Sequence, residues 1–276
     1  MDTGGLSVMT SVPLDRAGDI QRLREDYLRT LVAPADGMWE AAVIAHATFR
    51  DIQDRGRHAG HFCLDSSNDL LRFHLTGEYR ARAQEIFRQI IAMHGIRRAI
   101  SSTIEPPYLS LCLDFQKSIT PHMYLFRDHT WVEPRVEAGE CDVTRVRSTE
   151  FAEIVRFYRA NTDDPDDWIE AFVRERIARG ELFALHDGRQ LIAAGECIPS
   201  STQPPYADLG MVVARSRRGR GLGSSMLIHL KERCRRLGWK PICSCAADNV
   251  ASKRALEKAG FVSDHRMVTV LFPEVE

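Results

Sequence analysis

Arg218-Gly219-Arg220-Gly221-Leu222-Gly223 lies between an apolar run, Tyr206-Ala-Asp-Leu-Gly-Met-Val-Val213, and a helix-patterned run from Ser224 to Leu237. The first run reads as a buried strand. The second places apolar residues 226, 227, 230, 234 and 237 on one helical face. Glycines between them let the backbone turn tightly and approach a ligand. The unpaired N–H groups of the following first helical turn then point at an anion, helped by the helix dipole. Strand, glycine loop and helix in this order predict a phosphate-binding loop.

The spacing selects among such loops. A P-loop places Lys-Ser/Thr after its last glycine, whereas Ser224-Ser225 follows here without lysine. A dinucleotide fold places Gly-x-Gly-x-x-Gly after its first strand, with an acidic residue about twenty positions on. Here Gly219-x-Gly221-x-Gly223 comes late in the chain. What remains is Arg-x-x-Gly-x-Gly, which resembles the pyrophosphate loop of the GNAT superfamily of N-acetyltransferases. Downstream, Asp248-Asn249-Val-Ala-Ser252-Lys-Arg-Ala-Leu256-Glu-Lys-Ala-Gly260-Phe261 resembles that family's Asn-x-x-Ala/Ser helix ending in Gly-Phe. By itself Gly260-Phe261 is a glycine helix stop followed by a core aromatic.

The order of elements from Asp142 onward agrees with one complete domain of that kind. Val143–Arg147 alternates as a strand, helices follow over 150–160 and 168–179, and Asp187-Gly188 joins strands 182–185 and 190–198 as a hairpin. Strand 206–213, the glycine loop, helix 224–237, strand 242–246, helix 249–259 and strand 262–272 complete it. The first half carries helices over 19–32, 38–47 and 80–94, the last with the apolar stripe Ile86, Phe87, Ile90 and Ile91. Strands are expected there at 60–64, 70–75, 99–104 and 123–126. This succession echoes the second half, yet Thr76-Gly77-Glu78 stands where the loop belongs, and its carboxylate repels a pyrophosphate. Pro106 and Pro107 fall where the repeat needs its second helix, which the reading takes as that helix's loss.

The expected fold class is therefore α/β, with tandem GNAT-like mixed sheets flanked by helices and splayed central strands in the C-terminal domain. The domains are drawn as 1–130, degenerate and without a cofactor loop, a linker at 131–141, and the acetyltransferase domain at 142–276. Because the last strand ends close to Glu276, a seventh strand is expected from the N-terminal domain or another subunit, which keeps a homodimer among the partners.

The resemblance implies acetyl-CoA as cofactor, with its pantetheine arm lying between parted strands and direct transfer of acetyl to an amine in a ternary complex. Backbone groups at Met211, Val212 and Val213 are implied to hold the pantetheine and thioester carbonyl. Arg218, Gly219, Arg220, Gly221, Leu222, Gly223 and Ser224 are implied to hold the pyrophosphate; Arg215 and Arg217 are as readily solvent-facing. Asn249 and Ser252 match cofactor-contacting positions, with a helix N-cap the alternative for Asn249. The general base is open between Asp208 and Glu196, with water-mediated proton removal the third choice. Many family members carry a tyrosine as general acid where this chain has Leu256.

Whole-chain properties bound the partners. The 276 residues carry 37 basic and 38 acidic side chains and a pI near 6.8. That balance favours a small molecule over nucleic acid or an anionic membrane, and the resemblance implies that this small molecule is an amine. No apolar run reaches the roughly 18 residues of a membrane span, and the start lacks a signal-peptide pattern, so a cytoplasmic location is expected. The seven scattered cysteines read as buried free thiols, and no metal is expected from their spacing or that of the ten histidines. Asp163, Asp164, Asp166 and Asp167 either attract a cationic acceptor or cap a helix. Two readings compete with the enzyme: a catalytically silent acyl-CoA-binding sensor, which Leu256 suits, and a nucleotide-binding interaction protein.

Overall fold

The computed structural model describes residues 9–133 and 143–274. They form an α/β fold of mixed sheet flanked by helices, divided into two compact units. One runs to Tyr124 and takes up the chain again from His265; the other is Leu125–Asp264. The linker drawn at 131–141 lies, from residue 134 on, outside the described residues. Among the described residues no helix is long and apolar enough to cross a membrane.

The first unit contains β1 (Met9–Pro13), α1 (Ala17–Leu28), α2 (Gly37–Ala42), β2 (Thr48–Asp54), β3 (Arg57–Leu64), β4 (Leu70–Leu75), α3 (Ala83–His94), β5 (Arg98–Ser102), α4 (Pro106–Phe115) and most of β6 (Ser118–Asp128). β1 to β4 pair antiparallel in chain order, and β4 meets β5 in parallel. The stripe expected on α3 is there: Ile86, Phe87, Ile90 and Ile91 are buried against Phe73, Tyr108 and Val270. β1 and β2 go beyond the sequence reading. In β2 the buried residues are Phe49 and Ile52, an odd spacing that hides the strand's period of two.

The expected loss of the second helix is overturned by α4. Pro106 and Pro107 occupy its first two positions, where a backbone N–H has no helical acceptor and proline's fixed φ suits the helix. Tyr108 then buries its ring and donates from its hydroxyl to the Leu70 carbonyl at 2.8 Å.

The second unit holds the end of β6, then β7 (Val143–Arg145), α5 (Phe151–Asn161), α6 (Asp166–Arg179), β8 (Leu182–Asp187), β9 (Gln190–Pro199), β10 (Tyr206–Val213), α7 (Leu222–Arg236), β11 (Lys240–Ala246), α8 (Val250–Lys258) and the start of β12 (Phe261–Leu271). β7, β8, β9 and β10 pair antiparallel in sequence, and β11 joins β10 in parallel. Tyr158, Ile169, Phe172 and Val173 of α5 and α6 cover one face together with Leu182, Ala184 and Ala194. On α7, Met226, Leu227, Leu230 and Cys234 are buried as expected, but Leu237 is 47% exposed because the helix has already ended at Arg236. The six described cysteines are all buried.

Two features of strand pairing differ from, or sharpen, the expectation. Residues 267–271 of β12 pair antiparallel with β5, Val270 opposite Ala99, so the chain after Asp264 belongs to the first unit and the boundary drawn at 142–276 is corrected there. Within the second unit β10 and β11 are paired only at Tyr206–Lys240, Ala207–Pro241 and Asp208–Ile242. From Leu209 to Val213 β10 keeps its β9 partners alone. The central strands are splayed.

Candidate active site

A cleft of about 630 Å³ opens where β10 and β11 part. Met211, Val212 and Val213 line it from the strand, residues 217–219 and 221–224 from the loop and α7, Asn249 and positions 251, 252, 254, 255 and 258 from α8, and Asn161 to Asp163 from the end of α5. Of the predicted cofactor-binding residues, Arg220 alone is off this lining; its side chain is exposed beside the loop.

Loop geometry follows from its glycines. Gly219 and Gly221 take φ of 78° and 84°, the left-handed region that side chains disfavour. Gly221 is the N-cap of α7, so the amides of Leu222, Gly223 and Ser224 form the helix's first turn, with no carbonyl one turn back to receive them. Parted strand, left-handed glycines and open helix start fit a ligand carrying a diphosphate and an extended amide arm.

The arginines divide their work. Arg218 lines the cleft while donating to Val213 O at 3.3 Å and to Asn161 O at 2.7 Å. Arg215 fastens the loop to the α5–α6 connection: its N–H reaches Asn161 Oδ1 at 2.7 Å and its guanidinium pairs with Asp163 at 2.7 Å. Arg217 pairs with Asp187 at 3.2 Å. In the acidic segment, Asp166 and Asp167 sit in the first turn of α6, where carboxylates suit the helix dipole. Asn249 caps α8, its Oδ1 accepting from Ser252 N at 3.0 Å, and both residues line the cleft.

Neither candidate base lines the cleft, but they stand differently. Asp208 is buried in the last closed β10–β11 pair, opposite Ile198 and Ile242. Glu196 stands opposite Gly210, where the strands have already parted and next to cleft-lining Met211. Its carboxyl lies on the Gly210 Cα, so that a Cβ there would overlap Oε1. The Tyr158 hydroxyl donates to Oε2 at 3.3 Å. Burial pushes the Glu196 carboxyl up to about 7; the Tyr158 bond and Arg176 pull down, and Asp164 adds to the rise. Burial, and then Glu196, hold the Tyr158 hydroxyl well above its ordinary range.

Sequence reasoning did not single out Tyr158 or Gly210. Gly210 carried a signal, because an isolated glycine inside an apolar strand marks a close approach. Leu256 is buried and apolar, so it can donate no proton.

Two family models match the chain, both described as "Acetyltransferase (GNAT) domain", over residues 16–129 and 140–262. No curated protein matches it. Among solved structures, an acetyltransferase of the GNAT family from Colwellia psychrerythraea is 29% identical, with 96% of this chain and 100% of that one covered at a TM-score of 0.90. A tandem GNAT protein from the clavulanic acid biosynthesis pathway is 16% identical, covering 95% and 97% at a TM-score of 0.65. A GCN5-related N-acetyltransferase from Sphaerobacter thermophilus is 13% identical, covering 97% of each at 0.64. At those identities the last two establish likeness of fold alone.

Proposed function

We propose that this chain, which belongs to the GNAT acetyltransferase superfamily through two such domains in tandem, uses its second unit to transfer acetyl from acetyl-CoA to the amine of a small molecule. The observation that carries this is the junction of three features in one cleft: left-handed Gly219 and Gly221, the open first turn of α7, and a strand that has left its neighbour after Asp208.

Acetyl-CoA, when bound, supplies an activated acyl group. The amides of Leu222, Gly223 and Ser224 would hold its diphosphate, and the backbone of Met211 to Val213, unpaired on the β11 side, would hold its amide arm. Glu196 takes the proton of the acceptor amine. A carboxyl poised near neutrality is both ionised often enough to accept and basic enough to help. Tyr158 holds one carboxyl oxygen in place, which leaves the other, over Gly210, for the acceptor. Leu256, buried on α8, has no proton to give a leaving group, which would leave that role to water. The acceptor would meet the coenzyme in a ternary complex.

The buried Leu256 favours one second reading, a silent acyl-CoA-binding sensor. Calorimetric titration with acetyl-CoA, followed by thiol release over a panel of small amines, separates the two. Turnover abolished by Glu196→Gln supports the enzyme; binding without turnover on any amine supports the sensor.

A further inference from the structure

The first unit has a cleft of its own, of about 860 Å³, within the size range of small-molecule sites. It is built like the first. β4 and β5 are paired only at Leu70–Ala99 and then part. Phe73, His74 and Leu75 of β4 line it as Met211, Val212 and Val213 line the other. Positions 107, 108, 110, 111 and 114 of α4 line it as 251, 252, 254, 255 and 258 of α8 do.

The wall that faces a diphosphate in the second unit is chemically different here. Gly77–Arg82 forms a 3-10 helix in place of a left-handed glycine loop. Its amides are used internally: Tyr79 N–H donates to Thr76 O at 3.0 Å, and the Ala83 amide bonds Arg80 O. Glu85 adds negative charge to the first turn of α3. Backbone recognition of a diphosphate has gone, and side-chain cations stand on the lining instead.

Arg80, Arg82 and Arg88 face Glu85 and Asp114 there, so the wall matches a single negative charge. Arg82 is committed to Glu85 at 2.8 Å and Asp54 at 3.3 Å, and Asp114 accepts from Gln84 at 2.9 Å. Arg80 and Arg88 are exposed, and among the described residues neither has a carboxylate partner. Arg88 lies 5.6 Å over the Phe115 ring. His74, whose charged form burial and Arg80 disfavour, adds a neutral imidazole. Buried Leu75, Tyr108 and Leu111 supply an apolar floor. A guanidinium fork matches a planar carboxylate.

We propose that this cleft is a second ligand site, which takes a small monocarboxylate with an apolar body on Arg80 and Arg88 and does not take a second coenzyme. The full chain labelled at leucine and valine methyls tests it by NMR, with phenylacetate as probe and phenyl phosphate and acetyl-CoA as comparisons. Phenylacetate moves Leu75 and Leu111 saturably. The double variant Arg80→Gln, Arg88→Gln weakens that response about tenfold or more. Acetyl-CoA leaves Leu75 and Leu111 in place. The proposal is overturned by any of four results: no movement of these methyls with millimolar phenylacetate, an unchanged affinity in the double variant, equal or tighter binding of phenyl phosphate, or acetyl-CoA titrating Leu75 and Leu111.

Discussion

Glu196 and Gly210 face each other across β9 and β10, and the carboxyl of the first fills the space that a side chain on the second would need. Glycine in a strand interior ordinarily weakens it. Here it seats an ionisable group at the point where two strands have parted. Gly210→Ala therefore expels the Glu196 carboxyl while leaving the glycine loop untouched. Turnover should fall by roughly a hundredfold or more, in the range expected for displacing a general base, while acetyl-CoA affinity stays as it was. Steady-state rates beside calorimetric titration of the same variant check both halves.

Tyr158 bonds the ionised form of Glu196 and so lowers its pKa against the upward push of burial. Removing the hydroxyl in Tyr158→Phe lets the carboxyl rise further. With Glu196 as the base, the wild-type rate should climb as pH passes through about 7, because the base must lose its proton, and in the variant that climb should move to higher pH. Carbon-13 NMR of labelled glutamate carboxyls gives the same shift without an acceptor. A titration that stays put in the variant contradicts the assignment.

A buried carboxyl in the first unit gives a stability test. Glu105 accepts the Tyr27 hydroxyl at 2.7 Å, with Arg72 and Glu40 beyond it, and burial pushes it up to about 7. Its folded pKa is raised above the unfolded value, so the folded state binds more protons between about 4.3 and 7. The stabilisation is complete below that window and is lost as pH rises through 7. Glu105→Gln keeps a neutral side chain of the same size at every pH. Its melting temperature relative to wild type should therefore improve by several degrees from pH 5 to pH 8, and a constant difference would count against the raised value.

Lys231 is fully buried on α7, donating to Thr130 O at 2.8 Å and Ala259 O at 2.6 Å and pairing with Asp128 at 2.9 Å. Lys231→Met removes the cation and leaves carbonyls and a carboxylate behind. Urea unfolding should show a loss of about 3 kcal/mol, as for breaking other buried pairs. A change below about 1 kcal/mol would mean that Arg235, 2.6 Å from Asp128, suffices alone.

What could be read from residues alone follows the range of the interactions. The strand, glycine loop and α7 are local: 206–213 lies where periodicity puts it, and the helix begins two residues before the expected Ser224, at Leu222. Pro106-Pro107 misled because proline forbids a helix interior but favours a helix start, and only the register of α4 distinguishes the two. The path of residues 267–271 to β5 is a pairing across more than half the chain, which no local pattern records. Asp208 and Glu196 were equivalent as strand carboxylates. Cross-strand register, Glu196 opposite Gly210 and Asp208 opposite Ile242, is what separates them.

Coenzyme binding, as proposed, rests on α7 and its glycine loop holding the diphosphate of acetyl-CoA. Gly221, at φ 84°, is both the N-cap of α7 and a wall of the cleft. Calorimetric titration of acetyl-CoA into wild type and Gly221→Asp, with circular dichroism to confirm an unchanged fold, tests it most directly. Wild type should bind one coenzyme per chain, and the variant's affinity should be lower by about a hundredfold, near 2.7 kcal/mol. Equal affinities in two equally folded proteins would contradict it.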